Sequence, residues 1–159
     1  MGNPSEVILP DIRNRLPELR RVGSGKVVGE AVEVLFKYHC MRVGLIPHTP
    51  EGDPPCHDAV VFNTQTGKFK SVQVKSTSTR NKKCNGSYKI KAKCYSDRVP
   101  LKDTYVDVLA VFVIPYSAWY LVPIRRIRSA NLNFFPHIEN SKGMYERYRN
   151  NWKAFGKIL

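Results

Sequence analysis

Three side chains that could act together on a phosphate ester lie in two short stretches of the sequence, Asp58 in one and Gln73 with Lys75 in the other. Side chains alternate across a strand, so Gln73 and Lys75 share one face. If Thr66 and Gly67 form a two-residue turn, Asp58 lies directly opposite Lys75, with Cβ atoms about 5 Å apart. A slip of one or two positions leaves Asp58 near the same pair. The spacing therefore predicts that a carboxylate, an amide oxygen and an ammonium group converge.

A second carboxylate, Glu30, precedes this cluster on a predicted helix. Glu33 on that helix can pair with Lys37 four residues later, whereas Glu30 has no basic residue three or four positions later. Mg²⁺ commonly takes one or two carboxylates together with water and substrate phosphate. We therefore expect Asp58 and Gln73 to bind Mg²⁺, with Glu30 bound directly or through water.

Lys75 has two interpretations at this stage. In a hydrolytic site its ammonium group would orient the attacking water or offset charge on the phosphorus. In the alternative, Asp58 and Lys75 form an ordinary cross-strand ion pair. Gln73 would then be a surface amide and Glu30 an exposed helix acid.

The charge balance limits the class of partner. The 159 residues include 26 Lys and Arg against 13 Asp and Glu, a net charge of +13, while the hydrophobic content of 42% is typical of a globular chain. Such a basic protein is most simply matched to a polyanion, and nucleic acid is favoured over an acidic membrane. The basic residues are densest from Lys68 to Arg98, a segment that contains ten of them and one acid, Asp97.

The elements that must position these residues follow from the apolar pattern. A helical period begins near Ser24 and closes near Gly44. Residues 1–22 are predicted to form an N-terminal arm, and residues 23–159 one α/β or α+β domain. The remaining predicted elements are strands at 57–64, 69–77, 88–92, 106–114 and 119–122, a short helix after Pro123, and a last helix with Met144, Tyr148, Trp152 and Phe155 on one face.

Cysteine spacing and hydropathy predict the cellular context. The four cysteines, at positions 40, 56, 84 and 94, contain no CxxC pair, so free thiols are expected rather than a zinc site or a disulfide framework. No apolar run reaches the length of a membrane span, and no signal peptide is apparent. A cytoplasmic, DNA-associated protein is the expectation.

The order of these motifs resembles that of the PD-(D/E)XK nuclease superfamily. Glu30 on a helix is followed by Pro54-Pro55-Cys56-His57-Asp58 and then by Val72-Gln73-Val74-Lys75. With Gln73 in place of the usual acid, the sequence is most similar to the Gln-x-Lys branch, which contains small homing endonucleases encoded in group I introns. The likeness extends over about residues 24–155.

The resemblance implies a restriction endonuclease-like fold, with a central mixed β-sheet flanked by helices. It also implies Mg²⁺-dependent cleavage of double-stranded DNA, sequence-specific and of the homing type, with Glu30, Asp58, Gln73 and Lys75 as catalytic residues. Because one small site faces one scissile phosphate, a homo-oligomer, dimer or tetramer, is expected. A Holliday junction resolvase and a catalytically silent DNA-binding module of the same fold are the alternatives.

The basic segment is the expected DNA-binding surface. Its lysines would contact phosphates, while Arg80, Lys82 and Asn85 would be free to read base edges. The alternative is a solvated edge that guards against strand aggregation. The predicted contacts are Lys70, Arg80, Lys82, Lys83, Asn85, Tyr88, Lys89, Lys91 and Lys93.

Overall fold

The structure, a computed structural model, describes residues 25–52, 54, 56–94, 99–102 and 105–158. The predicted arm at 1–22 and the residues Asp97 and Arg98 lie outside these ranges. The elements in chain order are α1 (Gly25–Arg42), β1 (Leu45–His48), β2 (Ala59–Asn63), β3 (Lys68–Thr77), β4 (Arg80–Asn81), β5 (Ser87–Lys91), β6 (Lys93–Cys94), β7 (Val99–Pro100), β8 (Val108–Val113), β9 (Ala118–Pro123) and β10 (Asn131–Phe134). Short 3₁₀ helices occupy Ile114–Tyr116, Ile124–Arg126, Glu146–Tyr148 and Trp152–Phe155.

A five-stranded mixed sheet with the order β1-β2-β3-β8-β9 forms the centre of the fold. The pairs β1/β2, β2/β3 and β8/β9 are antiparallel, whereas β3 and β8 run parallel. All six residues of β8 are buried, as expected for a strand covered on both faces. The α/β class and the mixed central sheet are therefore confirmed.

Different layers cover the two faces of this sheet. The apolar stripe of α1, with Val28, Val32, Leu35 and Phe36, packs on one face together with Trp152 and Phe155. On the other face lies a three-stranded sheet with the order β10-β5-β4, whose inward side chains join Leu109 and Val111 in a second core. In the described part of the chain α1 is the one α-helix, and the small sheet covers the face opposite to it.

The prediction of a C-terminal helix was wrong, although the apolar residues of this segment recur at helical spacing. Asn150 has φ of 49°, and its backbone N–H donates to Trp119 O at 2.7 Å while its side chain accepts from Trp119 N at 3.0 Å. The segment is thus bonded along β9 and broken into two 3₁₀ helices. Met144 remains 63% exposed and does not join the core.

Two further results concern the pairing of the cysteines and the hydropathy of the helices. Cys56 and Cys94 form a disulfide across 38 residues, with a Cα–Cα distance of 5.0 Å, so the expectation of free thiols was wrong for this pair; Cys40 and Cys84 are free. In the described ranges, no helix is long and apolar enough to cross a membrane.

Candidate active site and basic surface

The hairpin of β2 and β3 brings Asp58 to the side of β3. Its backbone N–H donates to Val72 O at 2.8 Å. Its carboxylate oxygen Oδ2 accepts two hydrogen bonds of 2.6 Å, from Gln73 Nε2 and from the backbone N–H of Val74. These contacts fix the carboxylate against the strand that carries Gln73 and Lys75.

The register of this hairpin differs by two residues from the predicted one. Ala59 pairs with Val72 and Asn63 with Lys68, which sets Asp58 beside Gln73 rather than opposite Lys75. The reason is a four-residue loop, closed by bonds from Thr66 N and Gly67 N to Asn63 O.

Gln73 and Lys75 share one face of β3, as the alternation predicts, and both are half-buried. They pair in register with Leu109 and Val111 of β8, which belong to the second core. The small sheet therefore lies on the same side of the central sheet as these two polar residues. Two residues earlier, the N–H and hydroxyl of Ser71 both donate to Asp107 Oδ2, at 2.9 and 3.1 Å, which ties β3 to the start of β8.

An open cleft of about 460 Å³ separates α1 from the segment that leads to Asp58. Its acidic lining consists of Glu30, Glu33 and Asp58. The side chain of Glu30 is 63% exposed and its carboxylate lies 4.0 Å from the ammonium group of Lys26, a basic partner on the preceding turn of α1. Lys37, the partner that the sequence predicts for Glu33, donates through Nζ to Thr49 Oγ1 at 2.8 Å. The i,i+3 spacing of the two glutamates was the signal that they share a face.

The donor set suits a hard cation, although no group of three His, Cys, Asp or Glu side chains is gathered as a metal site among the described residues. Asp58 offers a carboxylate on a fixed backbone, and Gln73 offers an amide whose nitrogen is turned toward Asp58. One carboxylate and one amide oxygen match the sparse protein ligation of Mg²⁺, which retains water and takes phosphate oxygens.

The residues of the predicted DNA-binding surface fall into two groups. Exposed side chains form the first: Lys82, Lys83, Asn85, Lys89 and Lys91, with Lys93 half-buried beside them. Tyr88 belongs to the second, because it is 5% exposed and meets Tyr116 edge-on in the second core, so its assignment as a DNA contact was wrong.

Lys70 and Arg80 are engaged with the protein itself. Lys70 shares the α1-facing side of β3 with Val72 and Val74, and its ammonium group donates to Ala154 O at 2.8 Å. That geometry argues against a role with the exposed lysines. Arg80 is exposed as well, but its side chain packs on Gly86 and donates through Nε to Gly86 O at 3.0 Å, so it braces the β4–β5 turn.

Comparison with known proteins identifies the architecture. No family model matches the chain, and no curated protein matches it in sequence. Among solved structures, it is similar to the bacterial homing endonuclease I-Ssp6803I, with a TM-score of 0.67 and 20% identity, covering 82% of this chain and 91% of that chain. At this identity the likeness establishes the fold alone: the chain has the α/β architecture of a homing endonuclease.

Proposed function

We propose that the protein is a Mg²⁺-dependent DNA endonuclease of the PD-(D/E)XK type. The observation that carries the proposal is the hydrogen bond between Asp58 and Gln73, because Gln73 shares a face of β3 with Lys75 and Asp58 lines a cleft together with Glu30. The fold of a homing endonuclease and a net charge of +13 support DNA as the substrate.

In this proposal Asp58 and Gln73 hold the cation, and Glu30 adds a carboxylate across the cleft, directly or through water. The bound Mg²⁺ would lower the pKa of a ligated water and offset charge on the phosphate. The bonds from Val74 N and Gln73 Nε2 to Asp58 hold the carboxylate in one orientation before substrate arrives. Such preorganisation limits the rearrangement needed during reaction.

Lys75 supplies positive charge on the same face. A half-buried ammonium group is less screened by water than an exposed one, so it acts more strongly on the phosphate and the attacking water. Since one site of this size meets one phosphate, cleavage of both strands would require a dimer or tetramer. The homing type further implies a preferred target sequence.

The test is to incubate purified protein with a library of plasmid inserts and with four-way junctions, in Mg²⁺ or in EDTA, and to map breaks. Mg²⁺-dependent cuts at a recurring duplex sequence are expected, and Asp58→Asn should abolish them. The matched control is Glu139→Gln, because Glu139 is an exposed acid outside the cleft.

Three outcomes would contradict the proposal. Cuts confined to junctions of unrelated sequence indicate a junction resolvase. Binding with no cleavage of any substrate indicates a silent DNA-binding module. Cleavage at the wild-type rate by Asp58→Asn would show that Asp58 does not belong to the active site.

A further inference from the structure

The outward face of the small sheet carries an ordered set of polar side chains. Tyr88 and Ile90 of β5 and Leu132 and Phe134 of β10 point into the second core. The alternate residues therefore point away from the core, since side chains alternate across a strand. On this side β5 carries Ser87, Lys89 and Lys91, and β10 carries Asn131 and Asn133; Lys89, Lys91 and Asn131 are exposed, Asn133 is half-buried and Ser87 is buried.

The register arranges them as two mixed pairs. Lys89 lies opposite Asn133, and Lys91 lies opposite Asn131. Each pair sets an ammonium group beside a carboxamide, about 5 Å apart at Cβ. Within each strand, the two outward residues are separated by about 6.8 Å, which equals about two base-pair steps of B-DNA.

We infer that this face, here called the Lys/Asn ribbon, reads base edges in the DNA major groove. A two-stranded antiparallel ribbon fits that groove, where asparagine recognises adenine through N6 and N7 and lysine recognises the guanine acceptors O6 and N7. The inference deepens the proposed function by naming the residues that give it sequence preference. It assigns that role to Asn131 and Asn133, which the sequence motifs did not indicate, in place of Arg80.

One hydrogen bond orients an asparagine of the ribbon before DNA binds. The hydroxyl of Ser87 donates to Asn133 Oδ1 at 3.0 Å, so the amide of Asn133 is held in one orientation with its NH₂ group as the remaining donor. A side chain that is already oriented loses less conformational entropy on binding. Asn131, in contrast, is exposed at the edge strand of its sheet.

The positive charge around β5 favours DNA as the ligand of the ribbon. The sequence from Ala59 to Cys94 contains no acidic residue but nine lysines and arginines, so this stretch of the chain, which includes β5, brings no carboxylate to the ribbon. The ribbon also belongs to the layer that covers the Gln73 and Lys75 face of the central sheet.

Binding selection in EDTA tests the inference independently of cleavage. Wild-type protein should enrich a defined sequence from randomised duplexes. The double variant Asn131→Ala/Asn133→Ala should keep its affinity for random DNA within about threefold. Its discrimination at the affected base pairs should fall about 10- to 100-fold.

The lysines provide a contrasting test. Lys89→Ala/Lys91→Ala should weaken binding to all duplexes, reduce its salt dependence, and relax the preference for guanine at the base pairs that the two lysines contact. The control, Lys153→Ala/Lys157→Ala, removes equal charge from the exposed C-terminal segment on the α1 side and should change neither preference nor the salt slope by as much. Thermal unfolding establishes that each variant is folded.

Distinct results separate the inference from the proposed function. If the protein prefers a DNA sequence through the ribbon but cleaves nothing in Mg²⁺, the inference is supported and the proposed nuclease function is contradicted. Cleavage at a preferred site that is unchanged in Asn131→Ala/Asn133→Ala overturns the inference alone. Selection of no sequence, or tighter binding to RNA or to anionic vesicles than to duplex DNA, also overturns it. If the alanine pair fails to fold, Asn131→Asp replaces it: a shift of preference from adenine toward cytosine supports the inference, and an unchanged preference overturns it.

Discussion

At the scale of single residues, Asp58 is both a candidate ligand and a structural acceptor. Its Oδ2 atom receives the Val74 backbone N–H and the Gln73 amide at 2.6 Å each. Removing the carboxylate would leave the Val74 N–H without this acceptor and would also remove ligand charge. Lys75, on the same face of β3, donates neither of these two bonds, so its substitution tests the effect of the ammonium charge separately from the position of the carboxylate.

Lys75→Ala is expected to abolish nicking while leaving DNA affinity within about threefold. The substitution removes one cation among many phosphate contacts but deletes the ammonium group proposed to act on the transition state. Plasmid nicking and filter binding measure the two effects. A control, Lys102→Ala, changes an exposed lysine elsewhere and should retain both. Nicking at the wild-type rate by Lys75→Ala would contradict the assignment.

His39 makes stability depend on pH. It is 2% exposed, accepts the Trp119 indole N–H on Nδ1 at 2.8 Å, and burial together with Arg42 lowers its pKa from 6.5 to about 4. Between those values the unfolded chain binds a proton that the folded one excludes. The free energy of unfolding should therefore fall as pH drops from about 6.5 to 4, by up to about 3 kcal/mol.

Denaturant titrations at several pH values measure this dependence. His39→Gln keeps an oxygen acceptor for Trp119 but does not titrate, so its slope across that window should be shallower. The exposed His48 serves as the control, and His48→Gln should keep the wild-type slope. Equal slopes in wild type and His39→Gln would show that another group is responsible.

At the scale of elements, Asn63 holds the β2–β3 loop to the C-terminal segment. It is 2% exposed, its Nδ2 donates to Phe155 O and Lys157 O, and its Oδ1 accepts from Gln65 N and Thr66 N. The four bonds of 2.8 to 3.2 Å set the loop length, and hence the register that places Asp58 beside Gln73.

Asn63→Ala should lower the free energy of unfolding by about 2–4 kcal/mol, since it removes four hydrogen bonds from backbone groups that are buried or part-buried. Urea unfolding measures the loss, and Gln65→Ala, an exposed substitution in the same loop, should cost less than about 0.5 kcal/mol. A loss below about 1 kcal/mol in Asn63→Ala would mean that the loop is held by other contacts.

The same elements show what a sequence pattern can and cannot predict. Alternation along β3 correctly placed Gln73 and Lys75 together, because strand periodicity is a local property. The register was missed by two residues, because Asn63 bonds carbonyls more than 90 residues away. Tyr88 was misassigned for a similar reason: its burial depends on β10, which pairs with β5 only in the folded sheet.

At the scale of the whole molecule, the disulfide joins the segment that leads to Asp58 to the short strand that follows β5. Cys56 lies two residues before Asp58, and Cys94 ends β6 just beyond the ribbon strand β5. Both sulfur-bearing residues are buried in the second core, at 6% and 2% exposure. No spacing motif in the sequence indicated this pair, because the two cysteines, 38 positions apart, are brought together only by the folding of the small sheet.

Reduction of this bond should lower the free energy of unfolding by about 4 kcal/mol, the chain-entropy value for a loop of this length. Denaturant unfolding with and without dithiothreitol measures it. Cys56→Ala/Cys94→Ala should be insensitive to the reductant, whereas Cys84→Ala, which removes an exposed free thiol, should respond as wild type does. A midpoint that is the same in both conditions for wild type would contradict the expectation.

The placement of β3 has a consequence for how the molecule fluctuates. β3 is hydrogen-bonded to β2 on one side and to β8 on the other, whereas β1 and β9 are the outer strands of the central sheet. Local opening begins where bonding is one-sided, so amide protons of β3 should be among the slowest to exchange with solvent. Gln73 and Lys75 would then keep their spacing through every fluctuation short of global unfolding. Any conformational change that accommodates a bound duplex would occur in the surrounding loops.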